Sequence, residues 1–165
     1  MDTEAKFQRF RVISSKPFNQ VLERIEAAIG HPDMTAFRTA ITGAANYAEL
    51  EKVVRAATGP LDLMEFVRFD LGEVLRKQTG ADRPRIVRLV VGNPLIMKQM
   101  VEQVPDAGSY APVTILIDER PDGVHLSYDR MASLLASYEN SRALQVGRDL
   151  DVKIESLLNS AARED

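Results

Sequence analysis

Apolar side chains recur along the chain with two periods, and the alternation between them lays out strands and helices in turn. Arg9 to Ser14 reads as a first strand. After Pro17, the residues Phe18, Val21, Leu22, Ile25 and Ile29 fall at helical spacing until Gly30 and Pro32 stop the run. Met34, Phe37 and Ile41 share one face of a second helix, and Leu50, Val53, Val54 and Ala57 one face of a third. Asn46 stands where it can cap the third helix. Glu49, three residues on, is placed to reach back to the cap amide as in a capping box, and Gly59-Pro60 supplies the stop.

Leu63 to Phe69 is short, apolar and aromatic, which predicts a strand buried over much of both faces and ending at Asp70-Leu71-Gly72. Leu71, Val74 and Leu75 fit one or two helical turns before Gly80, and Ala81 to Arg85 is a charged connector. Ile86 to Val91 is a strand. Pro94 begins a helix with Met97, Met100, Val101 and Val104 as its buried stripe, ended by Pro105 to Gly108. Val113 to Glu119 and Val124 to Tyr128 are strands joined through Arg120-Pro121-Asp122-Gly123, a hairpin signal. Asp129 is placed to cap a helix carrying Met131, Leu134, Leu135 and Tyr138, and a last helix carries Ala143, Val146, Leu150, Ile154 and Leu157. The hairpin makes at least part of the sheet antiparallel. The expected architecture is therefore α+β, an antiparallel or mixed sheet of about five strands with helices mainly on one face, in one domain over 1–165.

Composition removes several classes of function. The 165 residues are 45% hydrophobic and 27% charged, an ordinary globular balance. The absence of cysteine excludes disulfides, thiolate catalysis and sulfur-ligated zinc or iron. Twenty-one basic and 24 acidic residues give a net charge of -3 with the basic residues dispersed, so nucleic acid is not an expected partner. Apolar runs fall well short of the roughly 18 residues that cross a bilayer, and no membrane partner is expected. The polar start Met1 to Lys6 lacks a secretory pattern and points to a cytoplasmic address. The glycines form neither a phosphate loop nor a dinucleotide fingerprint, so no cofactor is expected.

Val91-Gly92-Asn93-Pro94, Ala107-Gly108, Ala111-Pro112, Glu119, Asp122-Gly123 and Leu126-Ser127-Tyr128-Asp129 follow one another in an order and spacing that resembles the domain of unknown function 302 family. The resemblance spans about Ile86 to Leu144. It implies a TATA-binding-protein-like α+β architecture, an antiparallel sheet and a homodimer, with no established biochemical activity. Many members carry Asp-His before the Gly-Asn-Pro strand; this chain has Asp70-Leu71 at the corresponding place, which leaves no histidine there.

The candidate site residues are Asp70, Gly92, Asn93, Tyr110 and Tyr128. Asn93 lies between a strand end and a helix start, where free amides can hold an anion, although capping alone would account for it. The two phenols could stack on a ligand or donate to it, or simply close a core edge. On this reading the protein is a non-catalytic domain that binds a small molecule or a partner where Asp70, Gly92 and Asn93 meet. An alternative is a hydrolase or isomerase using Asp70, or His125 with Asp118, which should oppose each other if Ile117 pairs with Leu126. A third is a structural dimerisation module docking through Ser141 to Leu158. His31 reads as a loop residue. Asp70, Asp118, Glu119 and Asp122 lack the pattern of a calcium loop, and no metal is expected. Met64, Met97, Met100 and Met131 could line an adaptable pocket or fill the core.

Overall fold

In the computed structural model, which describes residues 4–164, five strands and seven helices account for most of the chain. The order is β1 (Arg9–Ser14), α1 (Phe18–Ala28), α2 (Met34–Gly43), α3 (Tyr47–Ala57), β2 (Met64–Asp70), α4 (Gly72–Thr79) and β3 (Ile86–Gly92). There follow α5 (Pro94–Val101), β4 (Val113–Arg120), β5 (Gly123–Asp129), α6 (Met131–Leu135) and α7 (Ser141–Ala162). The strands form one open sheet in the order β1-β5-β4-β3-β2, and every pairing is antiparallel. The fold is α+β. Its one parallel element among the described residues is an isolated bridge between Gly30 and Met64.

The strand period of two divides the sheet into unlike faces. Val87, Leu89 and Val91 of β3 lie beside Val113, Ile115 and Ile117 of β4, then Val124, Leu126 and Tyr128 of β5, and all are buried in the main core. Helices α1 and α7 cover this face, contributing Phe18, Val21, Ile25, Leu150, Ile154 and Leu158. The other face carries Arg88, Thr114 and Leu116 at its middle, with no helix core over it. A second cluster joins α2 and α3 to the start of β2 through Phe37, Val54 and Met64.

Two glycine contacts hold that second cluster in place. A Cβ on Gly30 would stand 1.9 Å from the Ala57 carbonyl oxygen, and one on Gly59 would stand 2.4 Å from the Ile29 carbonyl carbon. Gly30 and Gly59, which read as helix stops, thus also let the ends of α1 and α3 approach backbone to backbone, and both amides donate to the Leu63 carbonyl. In the hairpin, Gly123 takes a φ of 137°, open to glycine at little cost. Ile117 pairs with Leu126 and Asp118 with His125, the register expected from the sequence.

Three local expectations need correction. The strand predicted to be buried on both faces is an edge strand, exposed over most of its second half, because nothing pairs outside β2. The helical turns expected around Leu71, Val74 and Leu75 are α4, which leaves all three side chains exposed. Glu49 reaches the amide of Ala45 at 2.8 Å, one residue before the Asn46 cap. Asp129 does not cap α6, because a bidentate bond to Arg9, at 2.7 and 2.9 Å, occupies its carboxylate.

The start of α6 is capped from α7 instead. The Asp151 carboxylate accepts from the Met131 amide at 2.7 Å, the Ala132 amide at 3.1 Å and the Tyr128 hydroxyl at 2.7 Å. Asp151 is 6% exposed, and burial pushes its carboxyl above the ordinary carboxylate range although the three donors oppose the rise. Removing it would strand two amides and a phenol in the interior. Asp151→Ala is expected to cost about 3–5 kcal/mol, and Tyr128→Phe about 1 kcal/mol. Urea denaturation of both variants tests this, and a loss for Asp151→Ala no larger than for Tyr128→Phe would refute it.

Candidate functional sites at the motif end of the sheet

The five candidate residues do not converge on one point. Asp70 pairs with Val87 at one end of the β2–β3 ladder, whereas Gly92 pairs with Met64 at the other. Five residues along β3 place the two ends about 17 Å apart. The expected meeting of Asp70 with Gly92 and Asn93 is therefore not formed, since an antiparallel ladder carries the end of β2 away from the end of β3. Asp70 lies at the surface, where its carboxylate accepts from Arg76 at 2.6 Å and from the Glu73 amide at 3.1 Å. The Arg76 hydrogen bond is the main reason its pKa is lowered.

Asn93 caps α5. Its side-chain oxygen accepts from the Leu95 amide at 2.8 Å, and its side-chain NH2 donates to the Asp62 carbonyl at 2.9 Å. It is 4% exposed, so this amide ties α5 to the loop before β2. Around Gly92 and Asn93 opens a cleft of about 270 Å³. Phe66, Ile96, Met97, Met100, Val101 and Leu150 supply its apolar walls. Gly108 also lines it, and a Cβ added there would meet only Val101, at 4.0 Å.

Tyr110 and Tyr128 line a second cleft, of about 430 Å³, that runs onto the helix-free face of the sheet. Val113 borders both clefts, so the segment from Gly108 to Val113 forms the wall between them. Neither phenol is free of the fold. The Tyr110 and Tyr138 hydroxyls lie 2.9 Å apart, a hydrogen bond that pushes the Tyr138 phenol up to about 12. Tyr128 is bonded to Asp151, and burial first, then the neighbouring carboxylate, raises its pKa strongly.

Asp118 and His125 sit opposite each other without a hydrogen bond between them. Asp118 is engaged by Arg120, while His125 Nε2 lies 2.8 Å from an Asp122 oxygen, which lowers the Asp122 pKa. His125 faces away from the main core as expected, yet it is buried, and its Nδ1 has no partner among the described residues. His31 lies in the loop after α1, within 3.3 Å of Glu65. No three His, Asp or Glu side chains gather as a metal-binding set among the described residues. No helix among the described residues is long and apolar enough to cross a membrane.

Sequence reasoning missed Phe66, Gly108, Arg88 and Asp151. Asp151 had a signal: it interrupts the apolar stripe of α7 between Leu150 and Ile154, where a charge needs internal donors. Arg88 had one too, as the charged residue inside the apolar run Ile86 to Val91.

The model of the family described as domain of unknown function DUF302 matches residues 37–161. No curated protein matches the sequence. Among solved structures, an uncharacterized conserved DUF302 protein from Bacillus stearothermophilus superposes with a TM-score of 0.63. The match covers 94% of this chain and 98% of that one at 13% identity, a likeness of fold.

Asp70 gives a prediction with a defined sign. A carboxyl whose pKa is lowered on folding adds stability above its unfolded pKa, and that stability is lost as pH falls through the folded value. Asp70→Asn is expected to cost less than about 1 kcal/mol at pH 7, because the pair with Arg76 is exposed. The deficit should close as pH falls through the lower carboxylate range. Urea midpoints of both proteins across pH 2–7, an on-the-order-of range set by ordinary carboxyl titration, test this, and a constant deficit would contradict it.

Proposed function

We propose that the chain, which belongs to the domain of unknown function DUF302 family, is a non-catalytic small-molecule-binding module that seats an uncharged, largely apolar ligand beside Gly92 and Asn93. The composition of the cleft there carries the reading. Apolar side chains wall it, while the one polar side chain in its lining, that of Asn93, already has its oxygen and its NH2 bonded within the fold. Such a site gains from displacing water by apolar surface and offers little to a charged ligand. Its volume, about 270 Å³, is near the lower end of ligand pockets, which suits a compact ligand. Met97 and Met100 make the wall adaptable, because a thioether chain repacks easily.

The uncharged fluorophore N-phenyl-1-naphthylamine is a direct probe. Wild type is expected to bind it saturably and to melt at higher temperature in its presence. Gly108→Leu places a side chain where there is room for it and should weaken binding at least about tenfold. Asn93→Ala should cost about 1–2 kcal/mol of stability as a lost cap and still bind the fluorophore. Absence of saturable binding, or equal binding by Gly108→Leu, would exclude the cleft.

The same reading takes the protein as a homodimer, on the ground that α4 leaves Val74 72% and Leu75 41% exposed. Light scattering is expected to give the mass of two chains, reduced to one by Val74→Asp. A single-chain mass for the wild type would rule this assembly out.

A further inference from the structure

Pairing across the helix-free face sets one row of side chains side by side on five strands: Arg11, Ser127, Leu116, Arg88 and Phe69. The 430 Å³ cleft opens over Arg88, Leu116 and Ser127 of that row and Thr114 of the next. Arg88 has no carboxylate within ion-pair distance among the described residues. Its guanidinium lies 5.6 Å from the centre of the Phe69 ring and 3.5 Å from the Thr114 hydroxyl. Arg9, in the same cleft, is different, for its bidentate bond to Asp129 neutralises both groups. The cleft therefore keeps one uncompensated positive charge.

Ser127 is the second observation. It is 9% exposed and lines the cleft, and its hydroxyl makes no side-chain hydrogen bond to any described residue. The hydroxyl is open to the cleft, since the one buried side-chain polar atom without a partner among the described residues is His125 Nδ1, so Ser127 is available as a donor there. Leu71, Leu116, Met131 and Leu134 add apolar surface to the lining around these donors.

From this geometry we infer a second ligand site, distinct from the apolar cleft: the sheet face binds a small organic monocarboxylate with an apolar tail. The carboxylate takes the planar guanidinium of Arg88, with the Ser127 and Thr114 hydroxyls as further donors, and the tail lies along Leu116 towards Met131. A guanidinium fork matches a carboxylate in geometry as well as charge. One free positive charge balances a monoanion and leaves a phosphate dianion half uncompensated.

Calorimetric titration with octanoate, 1-octanol and inorganic phosphate tests the inference. Octanoate is expected to bind the wild type saturably and more tightly than either of the others. Arg88→Gln should weaken it at least about tenfold, Arg88→Lys by less, and Ser127→Ala about threefold, as expected for a charged and a neutral hydrogen bond respectively. Arg88 is exposed and its guanidinium engages Phe69 and Thr114 without an ion pair among the described residues, so its variants should fold as the wild type does. Equal binding by Arg88→Gln, octanol binding as tight as octanoate, or preference for phosphate would each overturn the site. Gly108→Leu separates the two clefts, since it should weaken naphthylamine binding at least about tenfold and leave octanoate binding in place. Loss of both ligands in that variant would mean a single shared site and overturn the second.

Discussion

The Asp151 carboxylate is the constraint on which the surrounding architecture rests. It is carried by α7, it accepts from the last buried residue of β5, and it supplies the cap that α6 lacks. Three elements are thereby fixed against one another by groups that have no other partner of comparable strength. A buried carboxylate is destabilising on its own, and burial does raise its pKa. Three donors make it tolerable, and they also make its position specific, because no shift of α7 along the sheet would keep all three. Apolar contacts between α7 and the sheet supply most of the burial, but they would permit sliding that this network does not.

Both clefts depend on that placement. Leu150, next to Asp151, forms part of the apolar cleft, while Tyr128 and Met131, two of the residues that donate to Asp151, line the cleft on the sheet face. The segment from Gly108 to Val113 stands between them as a shared wall. Two environments thus lie back to back. One has its polar groups already satisfied, and the other keeps a guanidinium with no carboxylate among the described residues and an open hydroxyl. Their different chemistry follows from the side of the sheet each one uses, since strand alternation sends Ile115 and Leu126 to the helices and Arg88 and Ser127 away from them.

Much of the fold was legible because its signals are local. The strand Arg9–Ser14, the β4–β5 hairpin with its register, the asparagine caps at Asn46 and Asn93, and the start of α7 all depend on residues close in sequence. The failures share a different cause. That β2 lies at an edge, that Asp129 answers Arg9, and that α6 is capped from α7 are matters of strand order and long-range packing, which periodicity does not encode. The candidate site divides in the same way. Gly92 and Asn93 were found as a strand-to-helix junction and do border a cleft, but the distance to Asp70 follows from the antiparallel ladder. Tyr110 and Tyr128 proved to border the neighbouring cleft with their hydroxyls already engaged.

The central claim is that the apolar cleft beside Gly92 and Asn93 is a ligand site and not merely a gap in the packing of α5. Methionine methyl groups report on it directly, because Met97 and Met100 line that cleft whereas Met131 lines the other. In a methyl carbon–proton correlation spectrum titrated with N-phenyl-1-naphthylamine, the Met97 and Met100 signals are expected to shift together and saturate while Met131 stays in place. Unmoved Met97 and Met100 signals, or shifts centred on Met131, would contradict the account.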